Sequence, residues 1–217
     1  MVIQQHDFVE VDYTGRLTDT KQLFDTTSEQ VAKTEGLHSK QAHYHPAVIC
    51  IGTAQIIKGI DDFLIGKELG TYKVSLAPEH AFGKKNPKLL QMIPLSQFHK
   101  QKIQPTPGLS LNMDGAMGTV RTVSGGRVVV DFNHPLAGKE VTYELTVKRI
   151  LQDTLEKLKS WLHQEMHFDA EVSLSNGVAI VQSEHNIPAS IAVEVTKKLA
   201  PILNIKTIEF RQKIKAE

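Results

Sequence analysis

The sequence predicts an α+β protein. An antiparallel β-sheet wraps around a short helix, a small β-rich unit is inserted into it, and an α-β-β-α-β module follows. Three observations carry this reading. Short runs of apolar alternation recur through the first half of the chain. Between them Ile56, Ile57, Ile60, Phe63 and Leu64 recur at helical spacing. Past residue 150, two amphipathic helical patterns bracket a hairpin signal.

Val9, Val11 and Tyr13 alternate with Glu10, Asp12 and Thr14, which predicts a half-buried strand ended by Gly15. A second strand is expected around Leu23-Phe24. Residues 26–46 are polar, carry rings at His38, His43, Tyr44 and His45, and read as a long flap. Val48 to Ile51 forms a short apolar strand before Gly52. The helix over 56–64 is closed by Gly66 and Gly70. Tyr72 to Leu76 is a further strand, stopped at Pro78.

From about Lys84 to Val130 the composition changes. Pro87, Pro94, Pro105 and Pro107 punctuate scattered apolar residues, and Ser124-Gly125-Gly126 joins two strand-like runs as a tight hairpin. Strand character returns over 140–150, so this stretch reads as an insertion. Near Leu151 a third unit begins. Asp153 with Glu156 fits a capping box, and Leu155, Leu158, Leu162 and Met166 share a helix face. Asn176-Gly177 between two alternating runs is the strongest hairpin signal in the chain. Ile187, Ile191, Val195, Leu199 and Ile202 mark a second helix behind Pro188, and a strand over 205–210 closes the module. The expected domains are therefore 1–84 with 131–150, 85–130, and 151–217.

At 217 residues the chain is long enough for two or three domains. Its formal net charge of +1 gives no reason to expect nucleic acid or a membrane surface as partner. The single cysteine, Cys50, forms no internal disulfide, which fits a reducing compartment. No apolar run approaches the roughly 20 residues of a membrane span, and the N-terminal residues lack a signal-peptide pattern. A cytoplasmic protein is expected.

Residues 131–139, Asp-Phe-Asn-His-Pro-Leu-Ala-Gly-Lys, are longer and more particular than turn chemistry requires. This run resembles the loop before the last strand in SlyD-like peptidyl-prolyl cis–trans isomerases of the FK506-binding-protein family. Val11-Asp12-Tyr13-Thr14-Gly15 resembles the first core strand of that family. Phe24-Asp25, the segment 52–60, Ala81-Phe82-Gly83 and Tyr143 are similar to further family positions in the same order. The insertion resembles the SlyD-type insert-in-flap domain, and the last 65 or so residues look like the extension of long archaeal members. The resemblance implies an FKBP-type fold and a prolyl pocket formed by Tyr13, Phe24, Asp25, Ile56, Ile57, Ile60, Phe82, Leu136 and Tyr143. It departs from many relatives at Ile60, where they carry a tryptophan, at Phe82, where a tyrosine is usual, and at Ala47, where an aromatic is common.

Rotation about an X-Pro bond crosses roughly 18–20 kcal/mol because the twisted amide loses resonance. It needs no nucleophile, metal or cofactor, and none is expected. An apolar pocket favours the less polar twisted amide, with Tyr13 and Asp25 as the polar candidates beside the rotating carbonyl. In the insertion, Leu90, Met92, Ile93, Leu95, Phe98, Met113 and Met117 are the expected surface for capturing unfolded chains. The expected partners are unfolded or proline-containing polypeptides. A holdase with a weak prolyl pocket is the competing reading. His163 and His167 stand one helical turn apart, yet the zinc-protease pattern needs Glu where Gln164 stands, so a solvated helix end is expected. His43 and His45 on one side of an extended segment make at most two ligands. The C-terminal module is too small to bury much alone; it docks on the isomerase domain or pairs with its copy, and a homodimer is the favoured expectation.

Overall fold

The computed structural model describes residues 1–42, 44–113, 115–184 and 186–213; the ring noted at His43 lies outside them. In chain order the first elements are β1 (Phe8–Leu17), β2 (Leu23–Thr26), α1 (Glu29–Thr34), β3 (Ala47–Cys50), α2 (Lys58–Leu64) and β4 (Gly70–Leu76). Next come β5 (Leu90–Pro94), α3 (Leu95–Lys100), β6 (Ser110–Met113), β7 (Ala116–Ser124) and β8 (Arg127–Asp131). The last are β9 (Val141–Ile150), α4 (Thr154–Met166), β10 (Glu171–Ser175), β11 (Val178–Ser183), α5 (Ala189–Leu203) and β12 (Thr207–Gln212). Two compact units result, Met1–Ser75 with Thr142–Glu217, and Leu76–Val141.

In the first unit a five-stranded sheet runs β2-β1-β9-β4, with β3 also paired to β1. β1 has β9 on one side and serves two antiparallel partners in turn along the other. Phe8 to Val11 pair with β3, and Thr14 to Arg16 pair with β2. The strand does not end at Gly15 as expected. It continues to Leu17 through a register shift between Gly15 and Arg16. Glycine stands there for space: a Cβ would lie 2.7 Å from Phe24 Cζ and 2.9 Å from Tyr143 Cε1.

The expected flap over 26–46 contains α1, capped where Ser28 Oγ accepts from the Val31 N–H at 3.3 Å. A single six-residue helix is too short to leave a periodic signal. α2 begins at Lys58, so Ile56 and Ile57 precede the helix rather than form its first turn.

The module behind β9 has the expected order α4, β10, β11, α5, β12. Asn176 (φ 51°) and Gly177 (φ 81°) both adopt the left-handed conformation that a two-residue β-hairpin demands. β12 then pairs parallel to β11, with α5 as the crossover. Asp153 caps α4 by accepting from the Glu156 N–H at 2.7 Å, while the Glu156 carboxylate is taken by Arg149 rather than closing a capping box. Leu158, Trp161, Leu162, Val181 and Leu199 form one apolar cluster with Phe8 and Cys50 of the sheet. Each large apolar side chain so buried contributes about 2 kcal/mol. This shared core fixes α4 against the β1–β3 edge.

The second unit is an antiparallel sheet in the order β5-β8-β7-β6. Gly125 (φ 55°) and Gly126 (φ 73°) make the tight turn between β7 and β8. Ile93, Phe98, Val120, Val128 and Val130 are its core. Two residues expected on the capture surface are therefore interior: Ile93 faces the core from β5, and α3, which the sequence did not announce, turns Phe98 inward. Leu95 and Met113 are half-buried against the same core. Leu90, Met92 and Met117 remain exposed, at 44%, 61% and 61%. The strand register puts these three on one face. Leu90 stands opposite Asp131 and Met92 opposite Val129, while Asp131 pairs across to Thr119, two residues from Met117.

Asp131, the first residue of the signature run, anchors it. Its Oδ2 accepts from Arg121 Nε at 3.0 Å and Nη2 at 2.9 Å, and its Oδ1 accepts from the Asn133 backbone N–H at 2.9 Å and Nδ2 at 2.8 Å. Burial works to raise its pKa, but the Asn133 bonds and the Arg121 charge overcome it and hold the carboxyl down at about 2. A depressed carboxyl stabilises the fold above its unfolded value of 3.8 and loses that contribution as pH falls toward 2. Asp131→Ala is expected to destabilise this unit by about 3 kcal/mol at neutral pH, because Arg121 and Asn133 lose their acceptor. Denaturant unfolding at pH 7 and at pH 2 checks it: the gap between variant and wild type should narrow sharply in acid.

Candidate functional site

The site is built on β1, β2 and β9. Tyr13 projects from β1, Phe24 and Asp25 from β2, and Tyr143 from β9. Tyr143 is 3% exposed. Its ring meets Phe24 edge-on at 5.6 Å and Tyr13 at 6.1 Å. Gly15 leaves the room in which Phe24 and Tyr143 meet. The Tyr13 backbone is pinned on both sides: its N–H donates to Thr27 Oγ1 at 2.9 Å and its carbonyl accepts from the Thr27 N–H at 3.0 Å. Thr27 Oγ1 in turn donates to Asp12 at 3.0 Å. Short polar side chains thus hold the aromatic ring in place.

The Tyr13 hydroxyl stands next to the Asp25 carboxyl and the two interact electrostatically. Burial, then the adjacent Asp25 charge, pushes the Tyr13 phenol well above its ordinary value, so it stays a protonated donor. Burial likewise raises Asp25, opposed by Tyr13 and the Thr26 backbone. The pair is a solvent-reached carboxyl beside a half-buried phenol.

Tyr13 and Asp25 face a cleft of about 400 Å³, lined also by Thr27, Leu37, Tyr44, His45, Ala47, His163, Gln164 and His167. The small Ala47 helps keep this space open. Other expected pocket residues stand differently. Ile60 is fully buried and does not line the cleft, and Tyr143 stands behind Tyr13. Ile56 and Ile57 are half-buried just ahead of α2, and Phe24 is half-buried beside Tyr143. Phe82 and Leu136 belong to the second unit. There Phe82 stacks on His134 at 4.8 Å, and the Gly138 N–H donates to the Gly83 carbonyl at 2.8 Å. Ala-Phe-Gly and the signature run, far apart in sequence, therefore meet in space. Leu136 is half-buried in that loop.

The sequence reading missed His45, His163, Gln164 and His167 as cleft residues. His163 and the C-cap residue His167 are exposed at the end of α4, as expected, and line the same cleft as Tyr13 and Asp25. Their spacing placed them on one helix face, but where that face points depends on α4 docking against β3, which no local pattern encodes. Among the described residues no group of three or more His, Cys, Asp or Glu is placed to hold a metal. Cys50 is buried, and burial raises its thiol to about 11, so it is an inert core residue. No helix among the described residues is long and apolar enough to cross a membrane.

Comparison with known proteins gives the family. Residues 2–99 match the family model described as FKBP-type peptidyl-prolyl cis-trans isomerase, and residues 91–136 match the one described as FKBP26, IF domain. A short-type peptidyl-prolyl cis-trans isomerase of Methanocaldococcus jannaschii is 31% identical over 150 residues, 69% of this chain and 94% of that protein. An FKBP-type 16 kDa peptidyl-prolyl cis-trans isomerase of Escherichia coli is 32% identical over 154 residues, 68% of this chain and 93% of its own length. The isomerase SlyD of Treponema pallidum is 29% identical over 174 residues, 76% and 88% respectively. An aromatic cluster around a Tyr-Asp pair, an inserted β-unit, and this span of shared sequence have one meaning: the chain belongs to the FKBP-type peptidyl-prolyl cis–trans isomerases.

Proposed function

We propose that the Tyr13–Asp25 cleft is where this isomerase rotates X-Pro bonds, and that the exposed apolar face of the 76–141 unit captures unfolded chains for it. The observation that carries the first half is the half-buried Tyr13 phenol and the Asp25 carboxyl opening together onto one cleft, with Tyr143 packed against Tyr13 and Phe24 against Tyr143. A planar X-Pro amide is more polar than its twisted form, so moving it from water onto aromatic surface favours the twisted state. Asp25 acts through its charge on the rotating carbonyl region, and Tyr13 holds it there. No bond to hydrogen breaks, because rotation about the amide needs only loss of resonance.

The second half rests on Leu90, Met92 and Met117, exposed on one sheet face. Unbranched methionines adapt to varied apolar partners. A cytoplasmic location belongs to the same reading and is supported by the lone, buried thiol. So does a homodimer through 151–217, supported by α5, which leaves Val193 68% exposed. Light scattering on Val193→Glu beside wild type tests the dimer: a shift to monomer is expected, and monomers in both proteins would remove it.

The competing holdase reading shares the capture face but not turnover. A protease-coupled assay on a prolyl tetrapeptide separates them. Acceleration by the full chain is expected; capture of unfolded protein with no acceleration would leave the holdase alone.

A further inference from the structure

We infer that α4 extends the prolyl site into a second subsite that takes the polypeptide beyond the proline and favours a carboxylate side chain there. The inference rests on the isomerase reading of the Tyr13–Asp25 cleft. A second hollow of about 280 Å³ adjoins that cleft, lined by Pro46, Val48, Lys159, Ser160 and Asp169. His45, His163 and Gln164 line both, so the two spaces form one groove.

The helix sets the direction of this groove. Lys159 and His163 stand one helical turn apart on a single face of α4, and His167 follows at its C-cap. From His167 to Lys159 is eight residues, about 12 Å at roughly 1.5 Å per residue. An extended chain covers that distance in roughly four residues. A polypeptide leaving the Tyr13–Asp25 end therefore reaches Lys159 about four residues from its proline.

The chemistry along the groove is that of an anion-accepting track. His163 Nδ1 lies 2.8 Å from Asp169 Oδ1, which fixes the ring and leaves Nε2 as its remaining nitrogen. The His45 ring is 6.0 Å away, with its Nδ1 engaged by the Pro46 carbonyl at 2.9 Å. Asp169 is thus already paired with an imidazole. Lys159 forms no ion pair among the described residues, and the nearby Glu171 is taken by Lys213 at 2.7 Å. A substrate carboxylate at that end meets an ammonium that is in no ion pair, since Lys159 acts on Glu171 only through space.

The test uses the full chain and labelled ten-residue peptides carrying one proline and either Glu or Lys about four residues to one side or the other. Binding is followed by fluorescence anisotropy. On one of the two sides, wild type should bind the Glu peptide about fivefold more tightly than the Lys peptide, the scale of a partly exposed ion pair. Lys159→Glu should reverse that preference without moving the unfolding midpoint. Equal affinities for Glu and Lys peptides in wild type, or a preference that Lys159→Glu leaves in place, would overturn the subsite. Turnover of a prolyl tetrapeptide by wild type is read separately: its absence counts against the isomerase reading, whereas the Glu-to-Lys ratio judges α4 alone.

Discussion

Gly15→Ala is expected to lower kcat/KM for a prolyl tetrapeptide by more than tenfold. The added methyl would stand 2.7 Å from Phe24 Cζ and 2.9 Å from Tyr143 Cε1, closer than carbon atoms approach. The far ends of two rings must give way together. Phe24 is half-buried and Tyr143 nearly closed off, so neither ring has open space to swing into. Overpacking of this kind costs about 1–3 kcal/mol. A displacement of Tyr143 reaches Tyr13, its neighbour at 6.1 Å, and through Tyr13 the Asp25 carboxyl. A loss of roughly 1.4 kcal/mol in transition-state stabilisation is already tenfold in rate. Steady-state kinetics with a thermal melt alongside check it. Wild-type turnover in a folded Gly15→Ala protein would mean that the aromatic cluster does not shape the active geometry.

The second large effect concerns capture of unfolded chains. Replacing Leu90, Met92 and Met117 together with serine should slow assisted refolding of a proline-limited protein more than tenfold while sparing the tetrapeptide reaction. Their exposure, 44% to 61%, means that serine costs the folded unit little. Each withdrawn side chain removes roughly 0.5–1 kcal/mol of apolar contact with a client, and two kcal/mol is about thirtyfold in affinity. Ile93 and Phe98 are unsuitable for this test because they hold the unit's core. Equal losses on protein and tetrapeptide would place both activities at one site and contradict the capture face.

Much of this was legible in the sequence, for physical reasons that differ by element. The Asn176-Gly177 hairpin and the capped start of α4 were readable because turns and caps depend on a few adjacent residues. Tyr13, Phe24 and Asp25 were legible through family resemblance, and the structure brings them together with Tyr143. The bounds of β1 were misread because glycine ends strands when it supplies backbone freedom, whereas Gly15 supplies space for rings remote in sequence. The split of the insertion's apolar residues into core and surface was not readable either. Proline-interrupted segments have no period, and α3 rotates Phe98 inward through a single short helix. His163, Gln164 and His167 escaped for the same kind of reason: a helix pattern gives a face, and only tertiary docking gives it a direction.

The central claim is that Asp25, steadied by Tyr13, acts on the rotating prolyl bond through its charge. The most direct measurement is kcat/KM of Asp25→Ala on a prolyl tetrapeptide, beside wild type at neutral pH. Removing one preorganised electrostatic group at a reacting centre typically costs about 2.7–4 kcal/mol where full charge develops. Amide rotation develops less, so a loss of roughly tenfold to a hundredfold is predicted, about 1.4–2.7 kcal/mol. An unchanged rate in a folded Asp25→Ala protein would contradict the account.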